Sequence, residues 1–175
     1  MDKHILSLNE IIRASGKVST FIHEKFADKV DKAGNDYTDH LETVAENAMW
    51  NCDDDEHSQY TVMGCFIVGM CHDLFEDTDC TEEELRTIVD DDNIIEAIHI
   101  CTRGKNETYK DFIKRIHDSG SEMAKYVKVA DLEHNMDIKR LPEIEDKDLK
   151  RLKKYFYSWK YLNDEISVEE YDDKV

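Results

Sequence analysis

One stretch of this sequence limits the fold more than any other: residues 62–75 are apolar nearly all the way round. Only small residues interrupt the stretch, and they are Gly64, Cys65, Gly69 and Cys71. A helix that is apolar on every side has no face that suits water, so it belongs in the middle of a domain. We therefore expect the rest of the chain to pack around a central buried helix.

Ionisable residues stand at the end of that stretch, where His72 and Asp73 are soon followed by Glu76 and Asp77. We expect these residues to continue the helix, so that residues 72 and 76, and likewise 73 and 77, are i,i+4 neighbours on one face. Ionisable groups are seldom buried without a partner. Either a metal ion or a salt-bridge network is expected to compensate them. The simpler alternative is a buried helix whose polar end emerges into solvent.

The composition predicts an all-α protein. The chain of 175 residues contains one proline and six glycines, and its abundant helix-forming residues favour helix over sheet. This length fits a single domain over residues 1–175, with an N-terminal helix and a frayed acidic tail after Glu165. Apolar periodicity predicts a first helix over 3–14 that ends before Gly16, and a second over 18–32. Later helices are predicted from residue 38, over 93–102 and 109–117, from 121, and over 146–163.

The charge balance narrows the function classes. A formal net charge of −18 argues against a general nucleic-acid binder, because the phosphate backbone would be repelled. The sequence has neither a long apolar span nor a signal-peptide pattern, so a cytoplasmic protein without membrane contact is expected. The cysteines are odd in number, lack a CxxC pair and read as reduced, mostly buried thiols. They are Cys52, Cys65, Cys71, Cys80 and Cys101.

Two more polar residues fall on apolar helix faces. His40 lies on the inward side of the third helix, and Asp131 stands where the pattern of its helix requires an apolar residue. A lone histidine at such a position is usually a satisfied core residue, whereas a buried aspartate needs a partner. Together with His72 and Asp73, these residues form a mixed nitrogen and oxygen set. Such a set suits a divalent first-row metal such as Mn, Fe, Co or Zn, with positions left for water.

Three strings in the chain carry a resemblance to a known family. They are KAGNDY at 32–37, shortly before His40, HDLFEDT at 72–78, and KVADLEHNM at 128–136. With these strings the sequence resembles the HD-domain metal-dependent phosphohydrolases. More narrowly, it resembles the RelA/SpoT-type alarmone hydrolases of the small stand-alone kind. The likeness spans about residues 18–162, and a chance match of both HDxxEDT and KxADxxHN in order is improbable.

The resemblance implies a fold, a metal and a reaction. The fold would be an HD-domain helical bundle, and the reaction would hydrolyse the 3′-pyrophosphate of ppGpp or pppGpp to GDP or GTP and pyrophosphate. One Mn²⁺ would be held by four ligands, namely His40, His72, Asp73 and Asp131. The acidic pair Glu76 and Asp77 would act on the attacking water and on the leaving-group proton.

The resemblance also implies how the nucleotide binds. Asn135 would contact the nucleotide sugar, and phosphate binding would fall to Lys32, Arg103 and Lys105, which are otherwise ordinary exposed cations. Two departures leave the base open. Val30 and Asp31 stand where the long alarmone hydrolases usually carry basic residues that stack on guanine, and Asp137 replaces a residue that is commonly arginine.

Three readings therefore stay open. The first is a guanosine alarmone hydrolase, and the second is an HD phosphohydrolase acting on an adenosine alarmone or another nucleotide. The third is a nucleotide-binding protein of the same fold without turnover. The basic run in the last long helix reads as a solvated face, or alternatively as a contact between subunits of a homo-oligomer.

Overall fold

The computed structural model describes residues 3–31, 34–53 and 56–175. Within these ranges the chain is helical and has no strand beyond an isolated bridge between Val30 and Asp36, so the all-α prediction is confirmed. The elements are α1 (Leu8–Lys25), α2 (Tyr37–Cys52), α3 (Gln59–Cys71), α4 (Leu74–Asp77), α5 (Glu82–Arg86), α6 (Asp92–Cys101), α7 (Tyr109–Asp118), α8 (Glu122–Met136), α9 (Asp146–Leu162) and α10 (Val168–Lys174). A short 3₁₀ turn, Ile138–Arg140, follows α8.

Helix α3 forms the centre of the fold, as the apolar stretch predicts. It packs against α1, α2, α6 and α8. Val62, Ile67, Val68 and Met70 are almost completely buried, and Met63 and Phe66 are half-buried. Ser58 caps its N-terminus by accepting a hydrogen bond from the Thr61 backbone N–H. Near its other end Gly69 lies against α2 so closely that an added Cβ would be 2.5 Å from the Ala45 Cα. This glycine therefore sets how near α2 comes to the end of α3.

The central helix is shorter than predicted. It ends at Cys71, and His72 and Asp73 form a turn before the separate short helix α4. Asp73 has φ −101° and ψ 1°, and the His72 Nδ1 lies 2.7 Å from the carbonyl oxygen of Gly69. The prediction of one continuous helix through residue 77 is therefore wrong. Side-chain bonds at the turn outweigh the apolar periodicity there.

Helix α1 corrects a second prediction. It runs through Gly16 without a break, because its buried stripe of Ile11, Ala14, Val18 and Ile22 continues on both sides of the glycine. Gly16 lies on the exposed side, where it costs a helix only about 1 kcal/mol. The helix begins at Leu8 rather than at residue 3, and it ends at Lys25.

A second apolar cluster joins α7, α8, α9 and α10. The acidic tail, which was predicted to fray, forms α10 and inserts the fully buried Tyr171 into this cluster. The Tyr171 ring stacks on Tyr161 with a centroid separation of 4.7 Å. That prediction is therefore wrong, because one aromatic side chain anchors an otherwise polar segment.

Two further observations concern the whole described chain. All five cysteines are buried thiols outside any disulfide, as the sequence predicted. Among the helices described, none combines the length and the apolar character that crossing a membrane requires.

We predict opposite effects for alanine at two helical glycines. Gly69→Ala should lower the free energy of unfolding by about 1–3 kcal/mol, because the new methyl group collides with the α2 backbone. Gly16→Ala is the matched control, since no atom lies within 4 Å of its added Cβ, and it should raise the value by about 0.5–1 kcal/mol. Urea unfolding of both variants measures the difference. Equal stability of the two variants would contradict the close packing of α2 on α3.

Candidate metal centre

Four side chains from three parts of the fold converge beside the end of α3. His40 comes from α2, His72 and Asp73 from the turn after α3, and Asp131 from α8. His72 Nε2 lies 3.1 Å from Asp73 Oδ2 and 3.8 Å from Asp131 Oδ1. His40 Nε2 lies 3.4 Å from Asp131 Oδ1 and 3.8 Å from Asp73 Oδ2. The ligand atoms of His40, His72 and Asp73 lie within 4.8 Å of one another, and Asp131 Oδ1 lies within 3.8 Å of both imidazole nitrogens. His40, His72 and Asp131 are buried.

The His72 ring shows why this cluster fits a cation. Its Nδ1 donates to the Gly69 carbonyl, so in the neutral ring Nε2 carries the lone pair. Nε2 is buried and makes no hydrogen bond within the described chain, although it faces the carboxylates of Asp73 and Asp131. A lone pair facing two carboxylates is repelled unless a positive charge lies between them. The donor set of two imidazoles and two carboxylates suits a divalent metal ion and neutralises its charge.

The electrostatics of the centre agree with a cation site. Burial by itself lowers the pKa of His72, yet the charges of Asp73 and Asp131 raise it to about 10. Burial raises the pKa of Asp73, but the neighbouring His72 outweighs that effect and brings it to about 2. For Asp131, Lys128 and the two imidazoles outweigh burial and hold the pKa well below its usual range. Both carboxylates are therefore ionised and available to a metal.

Each carboxylate is held by a donor outside the cluster. The Tyr37 hydroxyl donates to Asp73 Oδ2 at 2.6 Å, and Lys128 Nζ donates to Asp131 Oδ2 at 2.6 Å. Asn135 Nδ2 donates to the other oxygen, Asp131 Oδ1, at 2.5 Å. Because Lys128 occupies Oδ2, Asp131 presents Oδ1 to the centre and would bind a metal through that single oxygen. Such outer partners orient metal ligands and tune their affinity.

The histidine His40 has an outer partner of its own. Its Nδ1 lies 2.6 Å from Nδ1 of His134, a residue of α8. Burial, and then the nearby His40 and Arg140, lower the pKa of His134 to about 4, so His134 is neutral at pH 7. Arg140 contacts His134 and also forms an ion pair with Asp31, with 2.5 Å between Nη2 and Oδ2.

The centre lies in the floor of an open cleft of about 430 Å³. This volume is within the usual range for small-molecule sites. The cleft is lined by three groups: residues before and at the start of α2, metal-centre residues, and residues from the end of α8 onward. The lining residues that these groups add to the centre include Val30, Asp31, Tyr37, Asp77, Asn135, Asp137, Arg140, Leu141 and Tyr155.

The other predicted site residues lie at different distances from this cleft. Asp77 and Asn135 line it, and the side chain of Asn135 is bonded to Asp131. Glu76 is exposed and is not among the described residues that line the cleft, and its Oε1 accepts a hydrogen bond from the Arg103 backbone N–H at 2.6 Å. Arg103 and Lys105 are exposed and are not among the described residues that line the cleft. Lys32 lies outside the described residues.

Sequence reasoning did not assign the outer partners. Tyr37, Lys128 and His134 stand inside the strings that carry the family resemblance, so their positions were a signal that could have been used. Arg140 belongs to none of those strings. It reaches the centre only because the chain turns back after α8 in the 3₁₀ turn.

Comparison with known proteins gives one informative match. No protein-family model matches the sequence, and no curated protein does. Among solved structures, a metazoan orthologue of SpoT that hydrolyses ppGpp and plays a role in starvation responses matches with a TM-score of 0.65. The two chains are 16% identical, and the match covers 85% of this chain and 84% of the other. At this identity the likeness shows the fold, which is the HD-domain fold that the sequence predicted.

The unpaired His72 Nε2 generates a prediction for metal binding. Mn²⁺ at about 100 times its Kd should raise the free energy of unfolding of the wild type by about 2.7 kcal/mol, because only the folded chain assembles the centre. His72→Gln should lose this increase. His23→Gln, at an exposed histidine paired with Glu42, should retain it. Urea unfolding with MnCl₂ and with EDTA measures both, and an increase that survives in His72→Gln would place the metal elsewhere.

Proposed function

We propose that this protein is a Mn²⁺-dependent phosphohydrolase that removes the 3′-pyrophosphate of guanosine alarmones. The substrate would be ppGpp or pppGpp, and the products would be GDP or GTP and pyrophosphate. The observation that carries the proposal is the cluster of His40, His72, Asp73 and Asp131 at the floor of a cleft large enough for part of a nucleotide. The fold shared with a ppGpp hydrolase and the two strings HDxxEDT and KxADxxHN support it.

The chain's own residues would divide the work of hydrolysis. A bound metal would lower the pKa of a coordinated water and offset negative charge on the phosphate. Glu76 and Asp77 lie at the turn beside the ligands, where a carboxylate can take the proton of the attacking water. The Arg103 backbone N–H holds one oxygen of Glu76, which fixes that carboxylate at the edge of the site. The water oxygen would bond to the phosphorus attached to the 3′ oxygen, and the bond between that phosphorus and the 3′ oxygen would break. Pyrophosphate would leave with the new oxygen, and the 3′ oxygen would receive a proton from the acidic pair.

Asn135 would act differently from what the resemblance implied. Its amide nitrogen donates to both the carbonyl and the carboxylate of Asp131. One donor group is thus committed to the metal ligand, while the residue still lines the cleft. We infer that Asn135 orients Asp131 and meets the nucleotide from the same position.

A second candidate substrate is an adenosine alarmone or another nucleotide. The observation that favours it concerns Asp31, which the resemblance places where a cation stacks on guanine. Asp31 is tied to Arg140 across the cleft, and its neighbour Val30 is an exposed apolar side chain on the cleft wall. An apolar wall accepts either purine, so it selects for guanine less than a dedicated donor or acceptor would.

The test is hydrolysis of a panel of nucleotides by the purified protein with MnCl₂. The panel contains ppGpp, ppApp, NADPH and ordinary NTPs and dNTPs, and anion-exchange chromatography resolves the products. We expect pyrophosphate from ppGpp in the wild type and none in His72→Ala. Cleavage of another member alone would replace the substrate and keep the metal centre. Binding of ppGpp without any turnover would indicate a nucleotide-binding protein instead.

The proposed role of Glu76 leads to a kinetic prediction. Glu76→Gln should lower kcat by about 10²–10⁴-fold, because the amide cannot accept the proton of the attacking water. Mn²⁺ affinity should stay within about threefold, since Glu76 is not one of the four proposed ligands. Glu83→Gln is the matched control, because Glu83 is an exposed acid on the nearby α5 and should leave kcat unchanged. Normal turnover by Glu76→Gln would assign proton transfer to another group.

A further inference from the structure

The hydrogen bond between His40 and His134 determines which nitrogen of His40 carries its proton. The Nδ1 atoms of His40 and His134 are 2.6 Å apart, which is a hydrogen-bond distance. One proton lies between these two nitrogen atoms, and from this distance alone either ring could be its donor. The choice matters for the metal centre, because it decides which nitrogen of His40 carries the lone pair.

Arg140 settles the choice. Its Nη1 lies 3.2 Å from His134 Nδ1 and donates to the His134 carbonyl at 3.0 Å. A guanidinium has donors and no acceptor, so His134 Nδ1 must accept from it. The proton of His134 is therefore on Nε2. It follows that His40 Nδ1 is the donor in the bond to His134, and that His40 Nε2 bears the lone pair.

The lone pair of His40 then points at the metal centre. His40 Nε2 is the atom that lies 3.4 Å from Asp131 Oδ1 and 3.8 Å from Asp73 Oδ2. In the opposite arrangement His134 would donate, and the His40 proton would sit on Nε2. A metal ion could then bind only after this proton moved.

Arg140 is itself held in place by two elements. Its Nη2 is bonded to Asp31 Oδ2, and the Asp31 side chain is only 8% exposed. The other oxygen of Asp31 accepts from the Asn35 backbone N–H at 2.9 Å, inside the turn that precedes α2. The guanidinium therefore bridges this turn and the end of α8, and its orientation toward His134 is fixed.

We propose that Arg140 is a positioning residue for the metal centre, which acts through His134 to keep the His40 Nε2 free for the cation. The inference rests on the metal centre of the proposed function but not on its substrate. It also distinguishes two roles for Arg140. If its ion pair with Asp31 only stabilised the fold, the effect of Arg140 on Mn²⁺ affinity would not depend on His134.

A double-mutant cycle on Mn²⁺ affinity tests this proposal. The residues changed are Arg140→Met, which keeps the side-chain length without donors, and His134→Gln. The glutamine side chain in His134→Gln has no tautomers to choose between, and its amide oxygen can accept from His40 Nδ1. The electron paramagnetic resonance signal of free Mn²⁺, measured without nucleotide, gives the affinity of the whole protein.

We expect the effect of Arg140→Met on Mn²⁺ affinity to depend strongly on whether His134 is present. Arg140→Met should weaken Mn²⁺ binding by about 10-fold or more in the wild-type background, which is the usual effect of removing such an outer partner. In the His134→Gln background it should change the affinity by less than about twofold. Equal weakening in both backgrounds, or none in either, would overturn the proposal.

Two controls keep the result interpretable. Because Arg140→Met leaves a buried carboxylate without its cation, the cycle is repeated with Asp31→Asn present in every variant. Asp31→Asn alone retains an acceptor for Arg140 and should keep the Mn²⁺ affinity within about threefold. If Mn²⁺ binds as expected but no nucleotide is hydrolysed, the proposed function fails and the role of Arg140 stands. If pyrophosphate is released from ppGpp but Arg140 has no effect on binding, only the present proposal fails.

Discussion

The structure depends on the electrostatic compensation of four ionisable groups brought together at the end of the central helix. Two carboxylates, Asp73 and Asp131, face two imidazoles in a buried site, and each of the four groups is costly to bury alone. A cation between them turns mutual repulsion into attraction. Two surrounding donors complete the arrangement: Lys128 holds the outer oxygen of Asp131, and Tyr37 donates to the Asp73 oxygen that faces the imidazoles. The two carboxylates therefore stabilise positive charge at this point, either a proton on His72, whose pKa they raise to about 10, or a divalent ion that would replace it.

The packing of the bundle makes this convergence possible. α2 supplies His40, and Gly69 lets α2 lie directly against α3 at Ala45, little more than one helical turn beyond that histidine. α8 contacts both helices and brings Asp131 to the same point. After the break that follows Cys71, Asp73 accepts a hydrogen bond from Tyr37, and Asp77 lines the cleft. A mostly apolar core thus fixes the geometry of a polar site.

Much of the fold and of the metal centre could be predicted from the sequence, because buried residues recur with the period of a helix. The apolar stretch at 62–75 predicted a buried helix, and His40 and Asp131 were identified as polar residues on inward helix faces. The break after Cys71 was not predicted, because apolar periodicity does not show that the His72 side chain bonds to the Gly69 carbonyl. The helix end predicted before Gly16 was wrong, because the local preference of one glycine is weaker than a continuous buried stripe. The frayed tail was wrong, because Tyr171 anchors the tail only once α7 and α9 are in place. The link from Arg140 to His40 passes through three-dimensional contacts that no string in the sequence encodes.

The measurement that tests the central claim most directly is X-ray absorption at the Mn edge on the protein loaded with one equivalent of Mn²⁺. The account predicts imidazole scattering from two histidines together with oxygen ligands from two carboxylates and water. In His72→Gln under conditions that keep the metal bound, one imidazole contribution should disappear. A spectrum with oxygen ligands alone would contradict the account, because it would place the ion away from His40 and His72.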